Sequence, residues 1–212
     1  LHAKYINRFH ECWIPDVGQG FKLSGVLSVN KYIKIPQFNC GLLSTFQFSN
    51  ISNDSKFDLV AILSGPEPQR TIFEGMIIEQ LTKIRCRSLL IRGKISDPNE
   101  IPDRGMVQFK NYVTAEEIVK YLSTTTLVIA RSGYSTIMDL AQLGVKALLI
   151  PTPGQTEQEY LASYLDDNKI FMMQTQNNLD IQKAIEMKLN FSALKTENNI
   201  LLQQNLNRIL QT

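Results

Sequence analysis

Three hydroxyls and a carboxylate stand close together in one stretch of this chain: Ser132, Ser135, Thr136 and Asp139, within Arg131-Ser-Gly-Tyr-Ser-Thr-Ile-Met-Asp139. The apolar run Leu127-Val-Ile-Ala130 leads in. A helical pattern leads out to Gly144, ahead of a second apolar run, Ala147–Pro151. A strand that ends on a helix start leaves the first helical N–H groups without internal partners, and such groups attract anions. Ser132, Gly133, Ser135 and Thr136 are therefore candidates for holding a phosphate. Ser135 has an equally good second reading as the N-cap of its own helix. Asp139 lies one turn further in. It either complements the helix dipole or accepts hydrogen bonds from a ribose diol whose phosphate sits at the helix start.

Two other loops carry candidate chemistry. Pro151-Thr-Pro-Gly-Gln-Thr156 leads into Glu157-Gln158-Glu159, whose polar side chains suit sugar hydroxyls. Thr156 and Glu159 also have the spacing of a capping box, which competes with that role. Gly65, in Ser64-Gly-Pro-Glu-Pro-Gln-Arg70, opens a loop able to present N–H groups to a phosphate, although two prolines remove donors. A plain strand-to-helix turn explains Gly65 equally well. Gly18-Gln19-Gly20 is not a dinucleotide fingerprint: the next glycine is Gly25, and no helical pattern follows. The second strand of the main pattern ends at Arg92-Gly93 rather than at an acidic residue, which counts against NAD.

The elements that position these residues alternate. Short apolar runs at Asp58–Ser64, Ser88–Ile91, Met106–Phe109, Leu127–Ala130, Ala147–Pro151 and Ile170–Met172 read as strands. Helical patterns lie between most of them, at about Arg70–Ile84, Ala115–Leu122, Thr136–Leu143 and Glu157–Leu165. Leu179–Leu189 and Ala193–Leu210 read as two more helices. Thr114 and Glu117 have capping-box spacing, and Gly144 falls where a helix-ending glycine belongs. Such alternation predicts an α/β, Rossmann-like parallel sheet with helices on both faces. The first forty residues fit it poorly: a helix over Leu1–Glu11, strands at Cys12–Pro15 and Tyr32–Pro36, a loop over Asp16–Gly25 and a polar connector over Cys40–Ser55. One helix and two strands cannot bury a core alone, so this block must pack on the main domain or on a partner.

Bulk properties narrow the classes. The 212 residues are 43% apolar and 20% charged with a net charge of +2, an ordinary globular composition without the basic stripe of a nucleic-acid binder. No apolar run reaches the ~18 residues of a membrane span, and no signal peptide is expected. Three scattered cysteines suit a reducing compartment, and the only histidines, His2 and His10, lie outside the main domain. No Asp-x-Asp or metal-spaced carboxylate cluster occurs, so a divalent clamp on a diphosphate is not expected. A first residue of Leu suggests a piece of a longer protein.

Taken together, Arg131-Ser-Gly-x-x-Thr136-x-x-Asp139-x-x-x-x-Gly144, Ala147-Leu-Leu-Ile-Pro151 and Gln158-Glu159-Tyr160 resemble the donor-binding half of family 28 glycosyltransferases, which have the GT-B architecture. The likeness spans residues 57–190 in layout and 127–163 in motif. It implies a division into residues 1–45, the tail of an amino-terminal acceptor domain with its linker, and residues 46–212, a nucleotide-sugar domain. The resemblance further implies a UDP-sugar donor, with Asp139 on the ribose and Ser132, Gly133, Ser135 and Thr136 facing the diphosphate. The backbone of Tyr112 and Val113 would meet the uracil, Gln158 and Glu159 the sugar, and Gly65 the phosphates.

It also implies inverting transfer without metal or other cofactor, to a lipid-linked or glycan acceptor, in a cytoplasmic protein that can lie against the inner membrane face. The acceptor site and base would belong to the missing amino-terminal domain, leaving this chain a donor binder that is inactive alone. Three features depart from the family pattern: Asp139 replaces a longer Glu, Glu159 replaces a Gln, and prolines follow Gly65. A nucleotide-sugar hydrolase, or a non-catalytic donor-binding subunit of a membrane partner, are the alternatives on the same fold.

Overall fold

The computed structural model describes residues 2–17, 20–44, 46, 57–95, 97–194 and 200–210. In chain order these form α1 (His2–Ile6), β1 (Cys12–Ile14), β2 (Gln37–Asn39), β3 (Leu59–Ile62), α2 (Gln69–Leu81), β4 (Ser88–Ile91), β5 (Val107–Lys110), α3 (Ala115–Thr124), β6 (Leu127–Ala130), α4 (Tyr134–Leu143), β7 (Ala147–Leu149), α5 (Thr156–Asp167), β8 (Met172–Met173), α6 (Ile181–Met187) and α7 (Ile200–Leu210). A 3₁₀ turn, Gly25–Ser28, lies between β1 and β2.

Six strands form one sheet in the order β5-β4-β3-β6-β7-β8, every pair parallel. Parallel neighbours need a crossover; helices supply it everywhere but between β4 and β5, where the described residues form a loop, and they cover both faces. Successive side chains on a strand point to opposite faces. Val60, Leu89, Val128 and Leu149 accordingly join one core cluster, with Leu122, Ile137, Leu140, Leu161 and Leu165 from α3, α4 and α5. Leu59, Ala61, Leu90, Leu127, Ile129 and Leu148 join the other, with Phe73, Ile77, Ile181 and Ala184 from α2 and α6. This two-faced burial is why the strands read as unbroken apolar runs.

The expected elements of the main domain are found with small shifts at their ends. Thr114 and Glu117 form both halves of the capping box at α3. Gly144 ends α4 at φ 59°, the left-handed conformation that glycine adopts without a side-chain clash. The expected strand at Tyr32–Pro36 is displaced to Gln37–Asn39. Pro36 has no N–H to give, and its carbonyl instead accepts the Cys12 N–H at 2.9 Å to start the β1–β2 ladder. The last helix begins at Ile200, not Ala193, and residues 195–199 lie outside the described set. So do Leu1, Gly18, Gln19, Thr45 and residues 47–56 of the expected connector.

The amino-terminal block packs on the main domain. Asp16, fully buried, accepts from the N–H groups of Val17 (2.8 Å), Leu23 (2.8 Å) and Ser24 (3.1 Å) and from the Ser24 hydroxyl (2.5 Å). The loop so folded delivers Leu23 into the core beside α4 and α5. Phe21 stacks on Tyr164 with ring centres 5.6 Å apart, and Val26 N–H donates to the Tyr160 hydroxyl at 2.9 Å. α7 grips the other side: Asn205 donates to the Asn39 carbonyl, and Arg208 pairs with Glu11 at 3.0 Å while lying over Phe38.

Asp16→Ala would strand the buried Leu23 and Ser24 N–H groups, each worth about 1–3 kcal/mol. The expected loss is about 2–4 kcal/mol in urea unfolding. Limited proteolysis should then cut first within residues 17–30, with the six-stranded body persisting as the longer-lived fragment.

Candidate functional site

In the sheet order the chain reverses direction between β3 and β6, and the crevice above that point, at the strand carboxyl ends, is where open α/β sheets hold ligands. Three of the helix starts on this rim, those after β3, β6 and β7, border that point, and their chemistry differs. α2 is already occupied: the Glu67 carboxylate accepts the Thr71 N–H at 3.1 Å and pairs with Arg70. α5 carries Glu157 and Glu159 in its first turn, which oppose an anion. α4 has no acidic residue in its first turn and no side-chain cap. Its first internal bond runs from Ile137 N–H to the Gly133 carbonyl, so the N–H groups of Tyr134, Ser135 and Thr136 precede the ladder. Among the three, α4 alone has neither an acid in its first turn nor, among the described residues, a carboxylate on its first N–H groups.

Ser135 does not cap α4. Gly133 occupies the N-cap position, because the helix begins one residue earlier than the serine reading requires. Ser135 is exposed in the first turn, Gly133 and Thr136 partly so. Ser132 is fully buried, and its hydroxyl donates to the Gln158 carbonyl at 2.8 Å. That bond ties the start of α4 to the first turn of α5.

Gln158 and Glu159 shape the loop before α5. Gln158 Oε1 accepts the Thr152 N–H at 2.9 Å and its Nε2 donates to Gln155 at 2.5 Å, while Glu159 accepts the Gly154 N–H at 2.9 Å. The capping box expected between Thr156 and Glu159 is not formed. The helix starts at Thr156 with Gln155 as N-cap, and Glu159 reaches further back, to Gly154. Thr152 is 3% exposed, and its hydroxyl has no partner among the described residues. Gly65, at φ 101°, lies against it: a Cβ there would stand 3.9 Å from Thr152 Oγ1. The structure thus brings Gly65, Ser132, Gln158 and Glu159 around one loop.

Asp139 is half-buried on α4. Its Oδ1 accepts the Ser44 hydroxyl at 2.6 Å. Burial raises its carboxyl above the usual range, and the Ser44 bond pulls it partly back. Nothing in the sequence singled out Ser44, which lies 95 positions away in the connector after β2. Tyr112 and Val113 stand apart from this group, beyond the end of β5 on the outer edge of the sheet, with Tyr112 exposed and Val113 in the core. Beside the starts of α4 and α5 opens a cleft of about 740 Å³, lined by Trp13, Leu27 and Ile33 on one side and Tyr134, Thr156 and Tyr160 on the other.

Arg131, central to the motif, makes no anion site. Its guanidinium is buried over the Phe73 ring at 4.1 Å and donates to the carbonyls of Ile150 (3.2 Å), Pro151 (3.1 Å) and Gln69 (3.2 Å) and to Gln176 Oε1 (2.7 Å). Burial without a carboxylate lowers its pKa to about 10. It holds the ends of β6 and β7 to the first turn of α2.

An all-parallel sheet of this order, with a bare helix start at the reversal point, defines a Rossmann-like domain of the kind that holds nucleotides in that crevice. Residues 76–208 match the glycosyltransferase family 28 C-terminal domain, and the chain belongs to that family. It is similar to the UDP-N-acetylglucosamine–N-acetylmuramyl-(pentapeptide) pyrophosphoryl-undecaprenol N-acetylglucosamine transferase of Rickettsia prowazekii, 36% identical over 73 residues, 34% of this chain and 19% of that protein. The Exiguobacterium sibiricum protein of the same description is 26% identical over 178 residues, 75% of this chain and 48% of the relative. The chain therefore spans about half the length, or less, of these relatives.

Among solved structures, MurG of Acinetobacter baumannii superposes with a TM-score of 0.59 at 14% identity, covering 95% of this chain and 66% of that one. The glycosyltransferase SnogD of Streptomyces nogalater gives 0.57 at 11%, covering 90% and 54%. At these identities the likeness is one of fold.

Two outcomes are expected from the site's electrostatics. Arg131→Met leaves three carbonyls without their donor and should cost about 2–4 kcal/mol in urea unfolding. Asp139 has a higher pKa folded than unfolded, so its contribution favours folding in acid and becomes a penalty as pH rises through the unfolded and then the folded value. Asp139→Asn, which still accepts from Ser44, should therefore melt about 1–3 °C higher than the native chain at neutral pH. Below about pH 4 the two melting curves should converge.

Proposed function

We propose that this chain is the UDP-sugar-binding part of a glycosyltransferase that inverts the anomeric carbon and uses no metal or other cofactor. The observation that carries the reading is the start of α4: uncapped N–H groups at Tyr134, Ser135 and Thr136, no acid in the first turn, and a half-buried carboxylate one turn inward. A diphosphate on those N–H groups would set its ribose beside Asp139. Family membership supports a sugar donor, and the UDP-N-acetylglucosamine in the names of similar proteins favours uridine.

In this reading the N–H groups and the hydroxyls of Ser135 and Thr136 meet the diphosphate, with Gly133 allowing close approach. Ser132 serves through its grip on α5, and Gly65 closes the far side. The backbone of Tyr112 and Val113 takes the base. Gln158 and Glu159 meet the sugar with the lone pairs and protons not spent on their own loop. An acceptor hydroxyl, deprotonated by a base outside this chain, attacks the anomeric carbon from the face opposite the diphosphate. The bond to the diphosphate breaks as the new glycosidic bond forms, and the fixed dipoles at α4 stabilise the charge on the departing group.

Residues 1–45 are then the tail of an acceptor domain with its linker, and residues 46–212 the donor domain. The acceptor is lipid-linked or another glycan, and nucleic acid is not a partner. Among the described residues no helix is long and apolar enough to cross a membrane. In this reading the protein is cytoplasmic and works at the membrane's inner face, as a lipid-linked acceptor would require.

Calorimetric titration of the chain with UDP-, GDP- and dTDP-sugars tests the reading. Saturable binding of a UDP-sugar is expected, and Asp139→Ala should weaken it by about 1–3 kcal/mol, the worth of hydrogen bonds to a charged group. Absence of binding to all three series at millimolar concentration would overturn it.

A further inference from the structure

We infer that Ser44 is a ligand-binding residue of this site, sharing the ribose diol with Asp139 and making the site selective for ribonucleotides over deoxyribonucleotides; the inference rests on the donor reading above. A serine hydroxyl has one proton to give and two lone pairs. The Ser44 proton goes to Asp139 Oδ1 at 2.6 Å, and one lone pair accepts the Phe46 N–H at 3.1 Å. One lone pair remains, held in a defined direction by the two bonds already made.

Asp139 has corresponding vacancies. An ionised carboxylate accepts in about four directions. Among the described residues one hydrogen bond is made, to Oδ1, although the group is half-buried and poorly solvated. The remaining Ser44 Oγ lone pair and Asp139 Oδ2 are thus two acceptors joined through one hydrogen bond. A vicinal diol offers two donors. A deoxyribose offers only one, and leaves one of these acceptors unmet.

Ser44 comes from the connector that follows β2, whereas Asp139 belongs to the second half of the sheet. A ribose that bridges them ties the connector to the donor domain. Occupancy by nucleotide then holds the connector against α4, beside the loop and cleft contributed by the amino-terminal block.

The test is calorimetry of the native chain and of Ser44→Ala with UDP, 2′-deoxy-UDP and 3′-deoxy-UDP. Ser44→Ala should bind UDP about 3- to 10-fold more weakly, the worth of one neutral hydrogen bond. For one of the deoxy compounds, native chain and variant should bind alike, because the lost partner is already gone. Should Ser44→Ala melt too low to titrate, Ser44→Cys, nearly the same size with a much weaker hydrogen-bonding group, reads the same difference. UDP affinity unmoved by the substitution, or an equal loss for all three nucleotides, overturns the inference and returns Ser44 to holding its loop. A native chain that binds no nucleotide overturns the donor reading, and this inference with it.

Discussion

A sheet made only of parallel strands has to be covered on both faces, because its crossovers, most of them helical here, run across it and both rows of side chains are apolar. That requirement organises this molecule. It sends α3, α4 and α5 to one face and α2 and α6 to the other. It also brings every strand's carboxyl end to one rim, where every following helix begins. The candidate site is a consequence of that arrangement. Gly65, Ser132 and Thr152 come from three loops far apart in the chain and meet because β3, β6 and β7 are neighbours.

Several helix starts reach the rim, and local charge distinguishes them. Glu67 satisfies the beginning of α2 from within its own loop, and the carboxylates of α5 disfavour a second negative group. α4 is left bare. The same helix carries Asp139 at a half-buried position where its charge is poorly solvated, a cost that the Ser44 hydroxyl offsets in part. An exposed acid in the first turn would serve the helix dipole at less cost in solvation.

The amino-terminal block is fastened to the helices that frame the site. The Tyr134 hydroxyl, at the start of α4, donates to the Pro15 carbonyl, and Tyr160 of α5 accepts from Val26. The wall of the 740 Å³ cleft is therefore set in part by α4 and α5, the helices that frame the candidate site.

Much of this was legible in the residue order. The strands at Ser88–Ile91 and Leu127–Ala130 are apolar for their whole length because both faces are buried, and the α3 capping box and the Gly144 helix end are local devices that need no tertiary help. Local rules failed where a neighbour in space intervened. Ser135 lost the cap of α4 when the helix started at Tyr134, and Glu159 turned from Thr156 to the Gly154 N–H. No local pattern assigns Arg131 a partner, and its charge is spent on three carbonyls, two just after β7 and one at the start of α2.

Strand–helix alternation and the two-faced core follow from periodicity within a few tens of residues, and the family showed in the resemblance of residues 127–163 to a known motif. Which helix start is open, that Arg131 is a clamp and that Ser44 meets Asp139 came with the packing. Those outcomes depend on hydrogen bonds between residues as many as 95 positions apart, and no local pattern encodes a partner at that distance.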